Sequence, residues 1–91
     1  MNRVVLITGA SRGIGAAIAK KFLENGDTVY INYNKSKIEA EKIASNFSYA
    51  KLIKCDVTNE VEIKNMINKI KVEEGHLDVL INNAGIALDS T

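Results

Sequence analysis

Three glycines, Gly9, Gly13 and Gly15, stand in the segment TGASRGIG between an apolar run and a stretch of helical periodicity. Glycine permits positive φ angles and lets backbone amides approach a ligand closely. A helix that begins at such a turn also presents the partial positive charge of its N-terminus to an anion. The spacing T-G-x-x-x-G-x-G differs from the G-x-G-x-x-G fingerprint of dinucleotide sites, and a tight turn that binds no ligand is the alternative. Its place after a first strand and before a first helix favours phosphate binding.

Two further polar segments follow apolar runs in the same way. Asp56 and Val57 follow residues 50–55, and the sequence NNAG, residues 82–85, ends the run at residues 78–82. A carboxylate such as that of Asp56 can accept a hydrogen bond from an exocyclic amine like that of adenine, although a helix-capping aspartate is the alternative. The alternative for NNAG is an ordinary polar turn, because Asn and Gly tolerate left-handed geometry. Since the carboxyl ends of parallel strands meet at one edge of a sheet, we expect all three segments there.

The elements that must position these segments alternate along the chain. Apolar, β-branched runs predict strands at residues 3–8, 28–33, 50–55 and 78–82. Helical periodicity predicts helices at residues 13–25, from residue 36, and from residue 59 to near residue 75. The order β-α-β-α-β-α-β implies a parallel sheet with right-handed crossovers. The predicted fold class is therefore α/β, half of a Rossmann-like doubly wound parallel sheet with strand order 3-2-1-4 and three layers.

Local patterns predict where these helices begin and end. Gly26 follows the first helix as a C′ glycine. Ser36 with Glu39, and Asn59 with Glu62, have the spacing of a capping box. The fourth strand is apolar almost throughout, as expected of a strand that is covered on both faces. In the predicted strand order it lies on an open edge of the sheet.

The composition argues against several classes of function. The chain has 91 residues, 46% of them hydrophobic and 25% charged, which is typical of one soluble globular domain. A net charge of +1, with lysines scattered among glutamates, does not favour nucleic-acid binding. No apolar run approaches the roughly 18 residues of a membrane span. The single cysteine, Cys55, and the single histidine, His76, form no metal-binding cluster, and together these features favour the cytoplasm.

The three motifs in this order resemble the short-chain dehydrogenase/reductase family across essentially the whole chain. Within that family, TGASRGIG, INYNKSK and DVLINNAGI are most similar to bacterial 3-oxoacyl-[acyl-carrier-protein] reductases and the related acetoacetyl-CoA reductases. The resemblance implies that the glycine turn holds the pyrophosphate and adenosine ribose of a nicotinamide dinucleotide, and that Asp56 and Val57 contact adenine. It also implies that residues 83–85 line the nicotinamide ribose and that Asn82 ties adjacent strands together. The residues expected to bind the dinucleotide are Gly9, Ala10, Ser11, Arg12, Gly13, Ile14, Gly15, Asn32, Asn34, Lys35, Ser36, Asp56, Val57, Asn83, Ala84 and Gly85.

The end of the second strand bears on the choice between NAD(H) and NADP(H). An NAD-preferring site usually ends that strand with an acidic residue, which bonds the ribose 2′-hydroxyl and repels a 2′-phosphate. Residues 32–36, NYNKS, contain no acid, and Arg12 stands in the glycine turn. A guanidinium and the ammonium of Lys35 suit a 2′-phosphate, so we expect NADP(H) rather than NAD(H). The alternative is that Lys35 and Lys37 are a solvated helix start.

The family's reaction also needs a serine and a Y-x-x-x-K pair on later elements, with the tyrosine as acid/base. The only match to that spacing is Tyr33 with Lys37. Tyr33 ends a predicted strand and Lys37 begins a predicted helix on the adenosine side of the sheet, so we do not expect the pair to reach a substrate carbonyl. No catalytic residue and no metal ligand is therefore expected in this chain.

Two functions remain open at this point. The first is the N-terminal cofactor-binding part, residues 1–91 and truncated after the fourth strand, of an NADPH-dependent oxidoreductase that reduces 3-oxoacyl thioesters. This fragment alone is expected to be catalytically inactive, and an acyl thioester would bind only to a complete chain. The alternative is a non-catalytic half-Rossmann module that pairs with another chain, or with a second copy of itself, through its open edge strand.

Overall fold

Four strands and three helices alternate along residues 2–83, the part of the chain that the computed structural model describes. The elements are β1 (Val4–Ile7), α1 (Gly13–Glu24), β2 (Thr28–Tyr33), α2 (Lys37–Ala44), β3 (Ala50–Lys54), α3 (Glu60–Glu74) and β4 (Val79–Ile81). Each boundary agrees with the sequence-based prediction to within about one residue, the usual uncertainty of such assignments. None of the described helices is long and apolar enough to cross a membrane.

The described strands form one parallel sheet in the order β3-β2-β1-β4. β1 lies between β2 and β4, with Val5 opposite Val29 on one side and Val79 on the other. All of β1 is buried, as expected of a parallel strand that helices cover on both faces. The predicted fold class, an α/β Rossmann-like sheet with strand order 3-2-1-4, is confirmed.

Alternate residues of the strands form apolar layers on opposite faces of the sheet. Val5 and Ile7 of β1 face α1 and α2, whereas Leu6 faces α3. α3 contributes Met66 and Ile70 to the layer on its side. The sheet thus lies between two helices on one face and one helix on the other, which gives the predicted three layers among the described elements.

The predicted helix caps have different outcomes. Gly26 has a φ of +92° and follows Asn25, the C-cap of α1. Asn59 accepts hydrogen bonds from the backbone N–H groups of Val61 and Glu62 at 3.0 and 3.1 Å. The capping box predicted at Ser36 is wrong, because its side chain makes no cap hydrogen bond within the described chain. Ser36 has φ −95° and ψ 54°, whereas a side chain reaches back to cap a helix from extended backbone.

β4 forms one edge of the sheet and is only partly covered. Val79 and Ile81 pack on the side of α1, whereas Leu80, on the side of α3, is 52% exposed. A groove of about 300 Å³, lined by Leu6 and Ile67 among others, separates β4 from α3. β4 therefore lies at an edge of the sheet, as predicted, and the described helices leave this groove unfilled on one of its faces.

Two carboxylates hold the amino end of β1, opposite the glycine turn. Asp27 accepts a hydrogen bond from the backbone N–H of Arg3 at 3.0 Å and pairs with its guanidinium at 3.1 Å. Asp78 accepts from the backbone N–H of Val4 at 2.8 Å. The bonds from Arg3 hold the pKa of Asp27 below its ordinary value, and the bond from Val4 lowers the pKa of Asp78. Both carboxylates therefore satisfy backbone donors at the point where β1 begins.

Candidate cofactor-binding site

The turn that connects β1 to α1, residues 8–12, lies at the carboxyl edge of the sheet. Gly9 and Gly13 have φ angles of +62° and +64°. Residues other than glycine enter this left-handed region at a cost of about 1–2 kcal/mol. A hydrogen bond of 3.0 Å from the Ala10 N–H to the carbonyl of Asn32 holds the turn beside the end of β2. The two glycines are therefore required by the backbone path of the turn and by the entry into α1.

Gly15 is required for a different reason, which is close packing. A Cβ atom at this position would lie 2.5 Å from the carbonyl oxygen of Gly9, 2.6 Å from Nδ2 of Asn83 and 2.9 Å from Cα of Ala10. At Gly13, by contrast, a Cβ atom would meet nothing within 4 Å. The first turn of α1 is thus pressed against the preceding loop at Gly15 and has open space at Gly13.

The N-terminus of α1 has no counter-charge of its own within residues 2–83. Its N-cap residue, Arg12, makes no side-chain cap hydrogen bond, and its first turn contains no acidic residue. α3 shows the opposite arrangement, with Asn59 as a side-chain cap and with Glu60 and Glu62 in the first turn. The first N–H groups of a helix lack partners inside the helix and carry partial positive charge, so the start of α1 can bind an anion. Ile14, in the same turn, is 67% exposed.

Two asparagines hold the Gly9 residue through its two backbone polar groups. Oδ1 of Asn32 accepts a hydrogen bond from the N–H of Gly9, and Nδ2 of Asn83 donates one to the carbonyl of Gly9, each at 3.0 Å. Both asparagines are buried, so these bonds fix the orientation of the glycine turn from within the protein. Nearby, the Thr8 hydroxyl lies 3.2 Å from Oδ1 of Asn82 and joins β1 to β4, as expected for Asn82.

The ends of β2 and β3 bring further predicted residues to the same edge. Asn34 and Lys35 follow β2 and are exposed, and Asp56 follows β3. Oδ1 of Asp56 accepts hydrogen bonds from the backbone N–H and the hydroxyl of Thr58, at 2.9 and 2.6 Å. These bonds are the main cause of the lowered pKa of Asp56, and the charge of Lys35 lowers it further. Asp56 is therefore an ionised group that interacts with Lys35 across the edge.

Asp56 does not cap α3, which is the alternative that its sequence position allows. Asn59 is the N-cap of that helix, and Oε1 of Glu62 accepts a hydrogen bond from the backbone N–H of Asp56 at 3.0 Å. Val57 is half-buried and packs against the apolar layer under α3. The segment after β3 is thus held in place by α3, with one carboxylate oxygen of Asp56 engaged by Thr58.

The other predicted site residues differ in exposure. Ala10 and Ser11 are buried in the turn, whereas Arg12 is exposed at the start of α1. Ala84 and Gly85 lie outside the described residues. The site that the structure describes therefore consists of the glycine turn, the segment after β2, the segment after β3 and Asn83 beyond β4.

The structure also bears on the Tyr33–Lys37 match and on Asn32, which the sequence pattern alone treats incompletely. Tyr33 is the last residue of β2 and Lys37 the first of α2, so the Y-x-x-x-K match does not lie on one helix. The sequence-based prediction assigns Asn32 to the cofactor and misses its contact with Gly9. The available signal was a polar amide in the largely apolar strand TVYINY, because a buried amide must find hydrogen-bond partners.

Comparisons with known proteins agree with this geometry. The sequence model of the family described as short chain dehydrogenase matches residues 3–91. The chain belongs to the short-chain dehydrogenase family. The 3-oxoacyl-[acyl-carrier-protein] reductase FabG of Staphylococcus epidermidis is 42% identical over 96 aligned residues, which cover 99% of this chain and 38% of that protein. The hydroxynaphthalene reductase-like protein Arp2 of Metarhizium guizhouense is 37% identical over 88 residues, which cover 92% of this chain and 33% of that protein.

Solved structures of short-chain dehydrogenases contain the same fold. One from Streptomyces avermitilis matches with a TM-score of 0.85 at 32% identity, covering 91% of this chain and 31% of that one. Another, from Bacillus anthracis, matches with a TM-score of 0.78 at 29% identity, covering 86% of this chain and 34% of that one. The chain thus spans between 31% and 38% of the length of these relatives.

The packing at Gly15 leads to a prediction about stability. We expect Gly15→Ala to lower the free energy of unfolding by about 2 kcal/mol, because the added methyl group would meet backbone atoms that cannot turn aside. Gly13→Ala should cost only about 1 kcal/mol, since the strain there comes from the φ angle alone. Urea denaturation of both variants measures the difference. A Gly15→Ala chain as stable as the wild type would contradict the close packing.

Proposed function

We propose that this chain is the cofactor-binding part of an NADPH-dependent oxidoreductase that reduces 3-oxoacyl thioesters. The observation that carries the proposal is the start of α1, a helix N-terminus without its own counter-charge that follows a glycine turn at the carboxyl edge of a parallel sheet. The Staphylococcus epidermidis relative, a 3-oxoacyl-[acyl-carrier-protein] reductase by name, supports the class of substrate. When bound, NADPH would supply a hydride, and this chain would supply the surface that holds it.

The glycine turn fits the pyrophosphate of a dinucleotide. The space at Gly13 is open, and the first turn of α1 contains no acid that would repel a phosphate. We assign the pyrophosphate and the adenosine ribose to the backbone of residues 9–15, in which the side chains of Ala10 and Ser11 are buried. The exposed side chains of Arg12 and Ile14 flank this backbone and would contact the ligand from outside the turn.

The charges at this edge favour NADP(H) over NAD(H). Residues 32–36 offer no carboxylate to bond a ribose 2′-hydroxyl. Arg12 and Lys35 are exposed cations on neighbouring segments, and Asn34 and Ser36 add neutral hydrogen-bonding groups. We assign these four side chains to the 2′-phosphate and its ribose, because a guanidinium and an ammonium bind a phosphate group more strongly than a hydroxyl.

The remaining contacts complete the proposed site. We assign Asp56 and Val57 to adenine, because they follow β3 at the edge where the glycine turn lies. We assign Asn83, together with Ala84 and Gly85, to the nicotinamide ribose, on the resemblance of NNAG to the family motif. An acyl thioester would bind only to a longer chain, because no residue of this one matches the catalytic residues of the family.

A second candidate function is supported by the open edge of the sheet. The outer edge of β4 pairs with no described strand, and Leu80, which lies on the face towards α3, is 52% exposed. Unpaired strand edges and apolar side chains together favour pairing with another strand. In this case the chain would act as a half-Rossmann module that associates through β4 with another chain or with a second copy of itself.

The preference for NADP(H) predicts an effect of Arg12. We expect Arg12→Gln to weaken NADP⁺ binding about tenfold, because a charge-assisted bond to the 2′-phosphate is lost, and to change NAD⁺ binding by less than about twofold. Calorimetric titration of both dinucleotides at low ionic strength measures the two affinities. Lys20→Gln is the matched control, since it removes one positive charge from an exposed position of the same helix. Tighter binding of NAD⁺ than of NADP⁺ by the wild-type chain would overturn the assignment. An equal loss of NADP⁺ affinity in Arg12→Gln and Lys20→Gln would also overturn it.

The proposal also predicts that these 91 residues do not catalyse the reaction on their own. With NADPH and acetoacetyl-CoA, we expect the absorbance of NADPH to fall no faster than in buffer, because Tyr33 and Lys37 do not form the acid/base pair. The full-length Staphylococcus epidermidis reductase serves as the positive control in the same assay. Turnover by this chain above the protein-free rate would contradict the prediction.

The second candidate predicts self-association. If β4 is an interface, sedimentation should show a discrete dimer that Leu80→Lys converts to a monomer, because a charge at the edge prevents apolar pairing. Val72→Lys is the control, since Val72 is 81% exposed on α3 and does not line the groove beside β4. A wild-type monomer at all concentrations tested would exclude this function.

A further inference from the structure

Asn32 is a polar residue in the largely apolar strand β2, and only 2% of its surface is exposed. An amide so buried is stable only when its hydrogen bonds are satisfied. No buried side-chain nitrogen or oxygen in the described part of the chain lacks a hydrogen-bond partner. The partners of Asn32 therefore indicate why this position carries an amide.

The hydrogen bonds of Asn32 connect two different parts of the carboxyl edge. Oδ1 accepts a hydrogen bond from the N–H of Gly9 at 3.0 Å. Nδ2 donates to the carbonyls of Cys55 at 3.2 Å and Ile53 at 3.3 Å, at the end of β3. The backbone carbonyl of Asn32 accepts a further bond from the N–H of Ala10 at 3.0 Å. One residue thus joins the glycine turn to the residues that precede the proposed adenine contact.

We propose that Asn32 is a positioning residue that sets the glycine turn and the segment beginning at Asp56 in one fixed arrangement for a single dinucleotide. This inference rests on the dinucleotide binding proposed above. A dinucleotide must contact the glycine turn and the segment at Asp56 at once. A displacement of either one therefore lowers the affinity of the protein for the whole ligand. The side chain must accept from Gly9 and donate to two carbonyls, and at neutral pH an amide of this size does both.

A first test needs no cofactor and so is independent of the proposed function. We expect Asn32→Leu to accelerate hydrogen exchange of the Gly9 amide at least about tenfold, as measured by NMR, because its hydrogen-bond acceptor is removed. The amide of Gly26, which donates to the carbonyl of Leu23 at 2.9 Å, is the internal control. Unchanged exchange at Gly9 would overturn the proposal.

A second test uses Asn32→Asp, which keeps the acceptor for Gly9 but turns a carboxylate oxygen towards the carbonyls of Ile53 and Cys55. Burial and these carbonyls raise the pKa of the introduced carboxyl, and its protonated form can donate as the amide does. We therefore expect NADP⁺ affinity per folded molecule to be about tenfold weaker than that of the wild type at about pH 8. At about pH 5 it should return to within about twofold.

The design separates this titration from others in the same pH range. Each affinity is divided by that of the wild type at the same pH, which removes the titration of the 2′-phosphate. The same division removes the effects of the ionisable groups that both chains share near Asn32. Among these groups, the charges of Asp56 and Glu62 act on the Cys55 thiol, and the charge of Lys35 acts on Asp56. Asn68→Asp, an exposed substitution on α3 with the same charge change, should stay within about twofold of the wild type at every pH.

The outcomes distinguish positioning from a merely structural role. A structural role would lower the free energy of unfolding but leave the affinity per folded molecule at the wild-type value, and that result would overturn the proposal. An affinity ratio of the Asn32→Asp chain that does not change with pH would also overturn it. If Asn32→Leu does not fold, exchange at Gly9 is measured in the Asn32→Ala chain, which also removes the acceptor, and unchanged exchange there overturns the proposal. If the wild-type chain binds no NADP⁺, the proposed function fails, and exchange at Gly9 alone decides the role of Asn32.

Discussion

The candidate site depends on the contact between the first turn of α1 and the backbone of Gly9. Gly15 allows this contact, because any Cβ atom there would lie 2.5 Å from the Gly9 carbonyl oxygen. Asn32 and Asn83 then hold the N–H and the carbonyl of Gly9. Since these are backbone atoms and buried amides, no side-chain rotation can relieve a misfit. The start of α1 is consequently fixed against the sheet, with its first N–H groups at the open end of the turn.

The charged side chains at the two edges of the sheet differ in their bonding partners. At the amino edge, Asp27 pairs with Arg3 and Asp78 lies 2.9 Å from His76, so the carboxylates bond to neighbours and to the first amides of β1. At the carboxyl edge, Arg12 has no ion pair with any described residue, and the helix that it precedes has no acid in its first turn. The net charge of +1 conceals this difference, because a sum of charges does not report their positions.

Membership of the short-chain dehydrogenase family accounts for the glycine turn at the start of α1. The residues that the structure describes build one edge of the proposed cofactor site, and the relatives are about three times as long as this chain. Leu80 is more exposed than the apolar sequence of its strand predicts, because burial depends on what packs over a strand and not on the strand itself. The proposed reaction likewise depends on more than the described residues, since the proposed role of this chain is to hold a cofactor.

The sequence by itself determined the order of strands and helices, the parallel sheet and the glycine turn at its carboxyl edge. These features follow from the spacing of apolar residues and from glycine positions, which act over a few neighbouring residues. Only the tertiary structure decided that Ser36 makes no cap bond, that Asp56 is engaged by Thr58, and that Asn32 supports the turn from inside. The contacts of Gly9 with Asn32 and Asn83 join residues 23 and 74 positions apart. Local patterns predict where such residues stand in the sheet, but their partners are fixed only when distant strands meet.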